Sequence, residues 1–235
     1  MNNVRTVSDT KRTFYTQHTR PINTIYRRVV EELMVEMHLL SVNVDFSYNP
    51  IYALGVVTTF ERFMQGYQPE REKESIFNAL LQAVEEDPQR YKQDAHRLQA
   101  LAKSLPPREL IGWLSQTNPL EQDSELQSTL ASIASNPNFK YNRLFAIGIF
   151  SLLEQSDPEL VKDEKQRNEV LKTIATGLKL SDDRLSKDLD LYRSNLDKMT
   201  QAIVVMADMI SADRKKREQR SQPSSPTATP PTASE

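Results

Sequence analysis

The stretch RRVVEELMVEMHLL, Arg27 to Leu40, gathers Glu31, Glu32, Glu36 and His38 with two methionines. Carboxylates and imidazoles are common zinc and iron ligands and common general acids and bases. On a helix Glu31 and His38 share a face but stand about 10.5 Å apart along the axis. Ligand bonds are near ~2 Å, so one ion does not take both without further ligands. The Glu-x-x-His signature of carboxylate-bridged di-iron bundles precedes none of His18, His38 or His96. Meanwhile Ile22, Ile25, Tyr26, Val29, Val30, Leu33, Met34, Met37 and Leu40 recur at helical spacing with the charges between them. The stretch reads as one wall of a helical core, with His38 structural.

Other chemistry is equally sparse. The chain has no cysteine, which removes disulfides, thiolate zinc sites and a cysteine nucleophile. No phosphate-binding glycine loop, dinucleotide turn, nucleophile elbow or zinc-protease helix is present. The pairs Glu85-Glu86 and Asp182-Asp183 fall at helix ends, where they complement the dipole or face water. His18, Arg20 and Asn23 crowd a helix start and read as a capped terminus rather than a contact surface for an acidic partner. No catalytic, cofactor-binding or metal-ligating residue is assigned, and an enzyme is not expected.

The elements that would position any surface are helices. In 235 residues, 38% are hydrophobic and 26% charged, a soluble globular balance. Asn49-Pro50, Asp87-Pro88, Asn118-Pro119 and Asp157-Pro158 each set a capping side chain before proline. Helices are predicted near Ile22–Leu40, Ile51–Gln65, Glu70–Glu86, Gln89–Ser104, Arg108–Gln116, Leu120–Ser135, Lys140–Gln155 and Glu159–Leu178. SVNVDFSYNP alternates weakly but has no partner strand and is read as a loop. The longest apolar run, Leu144 to Leu153, is about half of what a membrane-spanning helix needs. MNNVRTVSDTKRTFY shows neither a secretory signal nor an evident transit segment.

A longer helix follows, starting at Asp182 or Asp183. Leu185, Leu189, Tyr192, Leu196, Met199, Ile203, Met206 and Ile210 alternate spacings of four and three, a heptad seam. Its length is roughly 57 Å, against about 40 Å for a compact body of ~180 residues. The predicted fold is all-α, a multi-helix bundle over residues 1–180 with a coiled-coil-like helix over 181–220 projecting from it. Residues 221–235, rich in proline, serine and threonine, are expected to be disordered.

The net charge of −2 conceals a separation of signs. Through Arg28, six basic residues face one acid, Asp9, for a net of +5; residues 212–220 carry +3. The candidate partner surface is therefore Met199, Ile203, Met206 and Ile210 with Arg214, Lys215, Lys216, Arg217 and Arg220. Arg20, Arg27 and Arg28 form a secondary basic candidate. Basic residues near an anionic lipid surface contribute about 1 kcal/mol each. Aromatic interleaving for nucleic-acid stacking is missing from the basic end, so no nucleic acid is expected. The charges flanking the seam specify no self-pairing, so a monomer is favoured.

The blocks TVSDTKRTFY, HTRPINTIYRRVVEELMVEMHLLSVNVDF, YNPIYALGVVTTFERFMQGY, FKYNRLFAIGIFSLLE and KDLDLYRSNLDKM resemble the thylakoid-formation protein family of cyanobacteria and chloroplasts, also known as a photosystem II biogenesis and repair factor. The resemblance runs nearly to Arg220. It implies an all-helical protein without known enzymatic activity or cofactor, peripheral to thylakoid membranes, supporting accumulation of the membrane-bound FtsH protease complexes. The missing transit segment is similar to the cyanobacterial form, acting at the cytoplasmic face. Two other classes stay open beside this adaptor: a pigment- or lipid-binding carrier, with Gly55 and Gly148 lining a pocket, and an RNA-binding adaptor using the basic patches, with steeply salt-dependent binding.

Overall fold

The structure, a computed structural model, describes residues 5–221; the side chains of Ile210, Asp213, Arg214 and residues 216–221 lie outside the described set. The tail expected to be disordered lies beyond the described residues from residue 222 onward. The described residues form eleven helices and no strand: α1 (Val7–Gln17), α2 (Thr24–Ser41), α3 (Pro50–Phe63), α4 (Glu72–Ala83), α5 (Pro88–Ser104), α6 (Pro107–Leu114), α7 (Ser124–Ser135), α8 (Arg143–Ser156), α9 (Pro158–Lys162), α10 (Glu164–Gly177) and the long C-terminal α11 (Asp182–Ser221). Short polar side chains start most of them. Asn49, Asp87 and Asp157 cap α3, α5 and α9 with proline in the first turn, as expected. Asn118-Pro119 does not start a helix; Asp123 caps α7 instead, and the Asn118 side chain lies against Gly112.

The centre of the bundle is the contact between α3 and α8. Every residue from Ile51 to Phe60 and from Leu144 to Leu153 is buried, so these helices are covered all round. They meet through two glycines. A Cβ at Gly55 would stand 1.7 Å from the Leu144 carbonyl oxygen, and one at Gly148 would stand 2.0 Å from that of Ile51. Backbone lies on backbone, which leaves no room there for the pocket that a carrier would need. The Thr58 hydroxyl donates to Ser151 across the same seam at 3.2 Å.

The reciprocity of these contacts has a cause that the sequence reading missed. FSYNPIYALG, from Phe46, returns 93 residues later as FKYNRLFAIG, from Phe139. Phe46 and Phe139 each set an edge against the third aromatic of its block, Tyr52 or Phe145. Asn43 and Asn136 close matching turns by accepting from the amides of Asp45 and Asn138. Tyr48 donates to Asp94 under the Arg90 guanidinium, and Tyr141 donates to Asp188 under that of Arg184. Helices α4 and α10 end alike, with Glu85 and Lys179 in the left-handed region at φ 65° and 55°. The body is thus a duplicated unit, α2–α5 and α7–α11, joined about an approximate twofold axis through the α3–α8 contact.

Two helices depart from the sequence reading. The first, α1, was not predicted, because it buries only Thr10 and Phe14 and so shows little apolar periodicity. Its signal was a capping box: Thr6 accepts from the Asp9 amide while the Asp9 carboxylate accepts from the Thr6 amide. The predicted helix Glu159–Leu178 is two, α9 and α10, broken at Asp163, whose side chain accepts from the Gln166 amide. The compact unit also carries on past residue 180. It runs through Leu196, and a separate C-terminal segment starts at Asp197, because Leu185, Leu189 and Tyr192 of α11 are buried like Tyr91, Ala95 and Leu98 of α5.

Gly55→Ala forces a methyl into the Leu144 carbonyl, and the two central helices must part. The expected cost in urea unfolding is about 3 kcal/mol, the upper range for overpacking. Gly112→Ala, whose new methyl has the Asn118 side chain as its nearest neighbour, is expected to be close to neutral, since side chains yield where backbone does not. Equal losses for the two variants would contradict this account of the contact.

Candidate partner-binding surface

The residues first singled out for chemistry are structural. His38 is buried, with Nδ1 2.9 Å from the Thr10 hydroxyl, joining α2 to α1. His18, also buried, has Nδ1 3.2 Å from the Ser75 hydroxyl of α4. Burial lowers the pKa of both imidazoles. Glu31 accepts from Lys11 and Tyr15 of α1, and Glu36 accepts from Arg143 of α8. Burial raises the Glu36 pKa against the pull of Arg143. Asn23 caps α2 by accepting from the Ile25 amide. Among the described residues no group of three or more His, Asp or Glu side chains is placed to hold a metal ion.

The basic excess near the amino end is answered in three dimensions. Arg5 meets Glu85, Lys11 meets Glu31, Arg12 meets Asp9, Arg20 meets Glu72 and Arg28 meets Glu32. The Glu72 carboxylate, with its pKa lowered by the Arg20 hydrogen bond, also accepts from Tyr67. Arg20 therefore holds the segment after α1 onto α4. Arg27 and Arg28 lie apart from it, on a groove of about 660 Å³ beside α2 that Glu31, Glu32 and Glu36 also line. Arg20 and Arg28 each stand against a carboxylate. Sequence spacing showed their charge but not the carboxylates facing them.

The C-terminal candidates fall into distinct groups. Asp182 and Asp183 sit in the first turn of α11, at its positive dipole end, and Lys187 pairs with Asp183. The early seam residues Leu185, Leu189 and Tyr192 are buried, and so is Met199, at 7% exposure. Ile203 and Met206 are half-buried, and Lys215 is exposed. The side chains of Ile210, Arg214, Lys216, Arg217 and Arg220 lie outside the described residues. Three apolar residues that the heptad reading passed over are open to solvent: Val204 and Val205 at 55% and Met209 at 67%. Their signal was the run AIVVMADMI, apolar around most of the helix and so wider than a seam.

No helix among the described residues is long and apolar enough to cross a membrane. The fold defines a class: an all-helical duplicated bundle with a long C-terminal helix. A solved structure of Psb29 shares that class, with a TM-score of 0.79 and 44% identity over 91% of this chain and 99% of that one. The Thylakoid formation protein family model matches residues 6–221. The Thf1 protein of Nostoc punctiforme is 77% identical over the whole of both chains, and that of Gloeothece citriformis is 58% identical over 94% of this chain and 98% of its own. The chain belongs to the Thylakoid formation protein family, a family tied by name to the photosynthetic membrane.

The buried histidines make stability depend on pH. Above about pH 6.5 both are neutral in the folded and unfolded chain, and their packing contributes in full. As pH falls from about 6.5 toward the lowered native pKa values, the unfolded chain takes up protons that the folded chain refuses, so stability drops. The charges facing them are Asp9 and Arg5 at His38, and Glu72 and Arg20 at His18. The expected result is a lower urea midpoint near about pH 5.5 than near about 7.5, with a smaller difference in His18→Gln/His38→Gln. An unchanged difference in that double variant would move the effect elsewhere.

Proposed function

We propose that the protein is a non-enzymatic accessory factor in thylakoid membrane biogenesis and photosystem II assembly and repair. In this reading it is a helical adaptor, peripheral to the cytoplasmic face of the thylakoid membrane, that associates with the FtsH protease complexes and supports them. The observation that carries the proposal is the extent of α11. Its opening stretch is the counterpart of α5, whose end at Ser104 corresponds to Lys198, yet α11 continues to Ser221. That continuation has no counterpart in the first unit, and it exposes Val204, Val205 and Met209. Solvent-exposed aliphatic residues grouped on one element mark contact surfaces more often than isolated ones do. The basic run from Arg214 to Arg220 follows directly and suits an acidic protein rim or an anionic lipid surface.

The test is a chain truncated after Met199, one residue past the end of the repeated stretch. Its thermal unfolding, followed by circular dichroism, is expected to match that of the full chain. Its recovery of FtsH subunits from detergent-solubilised thylakoid membranes is expected to fall on the order of tenfold, as when the central contacts of an interface are removed. Undiminished recovery by a folded truncated chain would take the α11 continuation out of the mechanism.

A further inference from the structure

The two halves of the body provide an internal comparison, position against position. Glu61, near the end of α3, corresponds to Glu154 of α8. Glu154 is met by the guanidinium of Arg62, which reaches it from α3. The position corresponding to Arg62 in the second unit is Gln155, an uncharged amide. Glu61 makes no hydrogen bond or ion pair with any described residue, although the neighbouring Arg62, whose guanidinium is engaged by Glu154, and then Lys73 and Lys92 act on it through space.

The surroundings of Glu61 form a hollow. It has a volume of about 370 Å³, and Val57, Phe60 and Phe77 are its apolar wall. The Phe60 and Phe77 rings meet edge to face with centroids 5.0 Å apart. Both lysines on the rim are engaged by other carboxylates, Lys73 by Glu70 at 2.9 Å and Lys92 by Glu74 at 3.0 Å. With three glutamates against two lysines, the hollow lacks one positive charge. Glu61 is exposed at the mouth of the hollow; its surroundings raise its pKa against the pull of Arg62, Lys73 and Lys92, and an arriving cation would favour its charged form.

We propose that this hollow receives an arginine side chain of a partner polypeptide, with the guanidinium on Glu61 and the aliphatic stem along Val57 and Phe77. The choice of guanidinium comes from the molecule itself. Arg62 is the group that the corresponding Glu154 takes, and the protein also lays guanidinium groups on aromatic rings at Arg90 over Tyr48 and Arg184 over Tyr141, 3.7 and 4.7 Å from the centroids. At the hollow itself the Phe77 ring already has the Lys92 ammonium 5.5 Å from its centroid, so the preference for guanidinium rests on its planar fork onto a carboxylate, with the stem along the apolar wall. The site lies on the repeated body and does not depend on the role of α11.

The experiment uses the intact chain, three tripeptide amides of sequence Ala-X-Ala, and nuclear magnetic resonance of the Val57 methyls and Phe77 ring. With X as arginine, saturable shifts of both groups are expected. With X as citrulline, the uncharged isostere, or with Glu61→Gln protein of unchanged melting temperature, binding is expected to weaken roughly tenfold, the scale of a charged hydrogen bond. Equal binding of the citrulline peptide, undiminished binding by Glu61→Gln, or no shift at saturating peptide would overturn the proposal. Equal binding of the lysine peptide would overturn the assignment to guanidinium.

Discussion

Two main chains in contact at Gly55 and Gly148 set the geometry of the whole body. With no Cβ at either position, the carbonyls of Leu144 and Ile51 come as close as backbone permits. The pair is then enclosed by other helices, α2 and α5 on α3 and α5, α6 and α9 on α8, which is why both sequences are apolar on every side rather than on one stripe. The remaining helices of the first unit find their places on this pair. The twofold character follows from the same point: each glycine receives the other unit's carbonyl, and Thr58 meets Ser151, so neither half completes its core alone.

Duplication also shows where the fold stops requiring particular residues. The Tyr–Asp–Arg clusters and the matching helix ends occur in both halves because each anchors the same junction. Departures from the repeat carry different information. Arg62 and Gln155 differ in charge at one position, which leaves Glu61 without the partner that Glu154 has. The stretch of α11 past Lys198 answers to nothing in the first unit, so the repeat does not account for its exposed Val204, Val205 and Met209. Positions freed from the demands of packing are where contact surfaces can arise.

Charge had to be read in space. Five of the six basic residues through Arg28 meet a carboxylate, and three of those carboxylates, Glu31, Glu72 and Glu85, come from other elements. Much of the segment's charge is thus matched once folded, and Arg5, Lys11 and Arg20 tie α1 and the chain on either side of it to other elements. Exposed pairs of this kind add little stability each. They do specify position, which matters for α1 because it buries so few apolar side chains.

The sequence by itself determined the helical class, most helix spans, the structural role of His38 and the long final helix, because capping and periodicity of 3.6 are local properties. The family was likewise visible in long blocks of residues. α1 escaped because its capping box had no apolar stripe behind it, and the break at Asp163 because periodicity runs on through a capped interruption. The repeat was present as FSYNPIYALG and FKYNRLFAIG and went unseen, since pattern reading looks a few turns ahead and not 93 residues. Only the tertiary structure decided that Gly55 and Gly148 close a helix contact rather than line a pocket, and that Arg20 faces Glu72. Both depend on groups distant in sequence arriving at one place, and no local pattern encodes such arrivals.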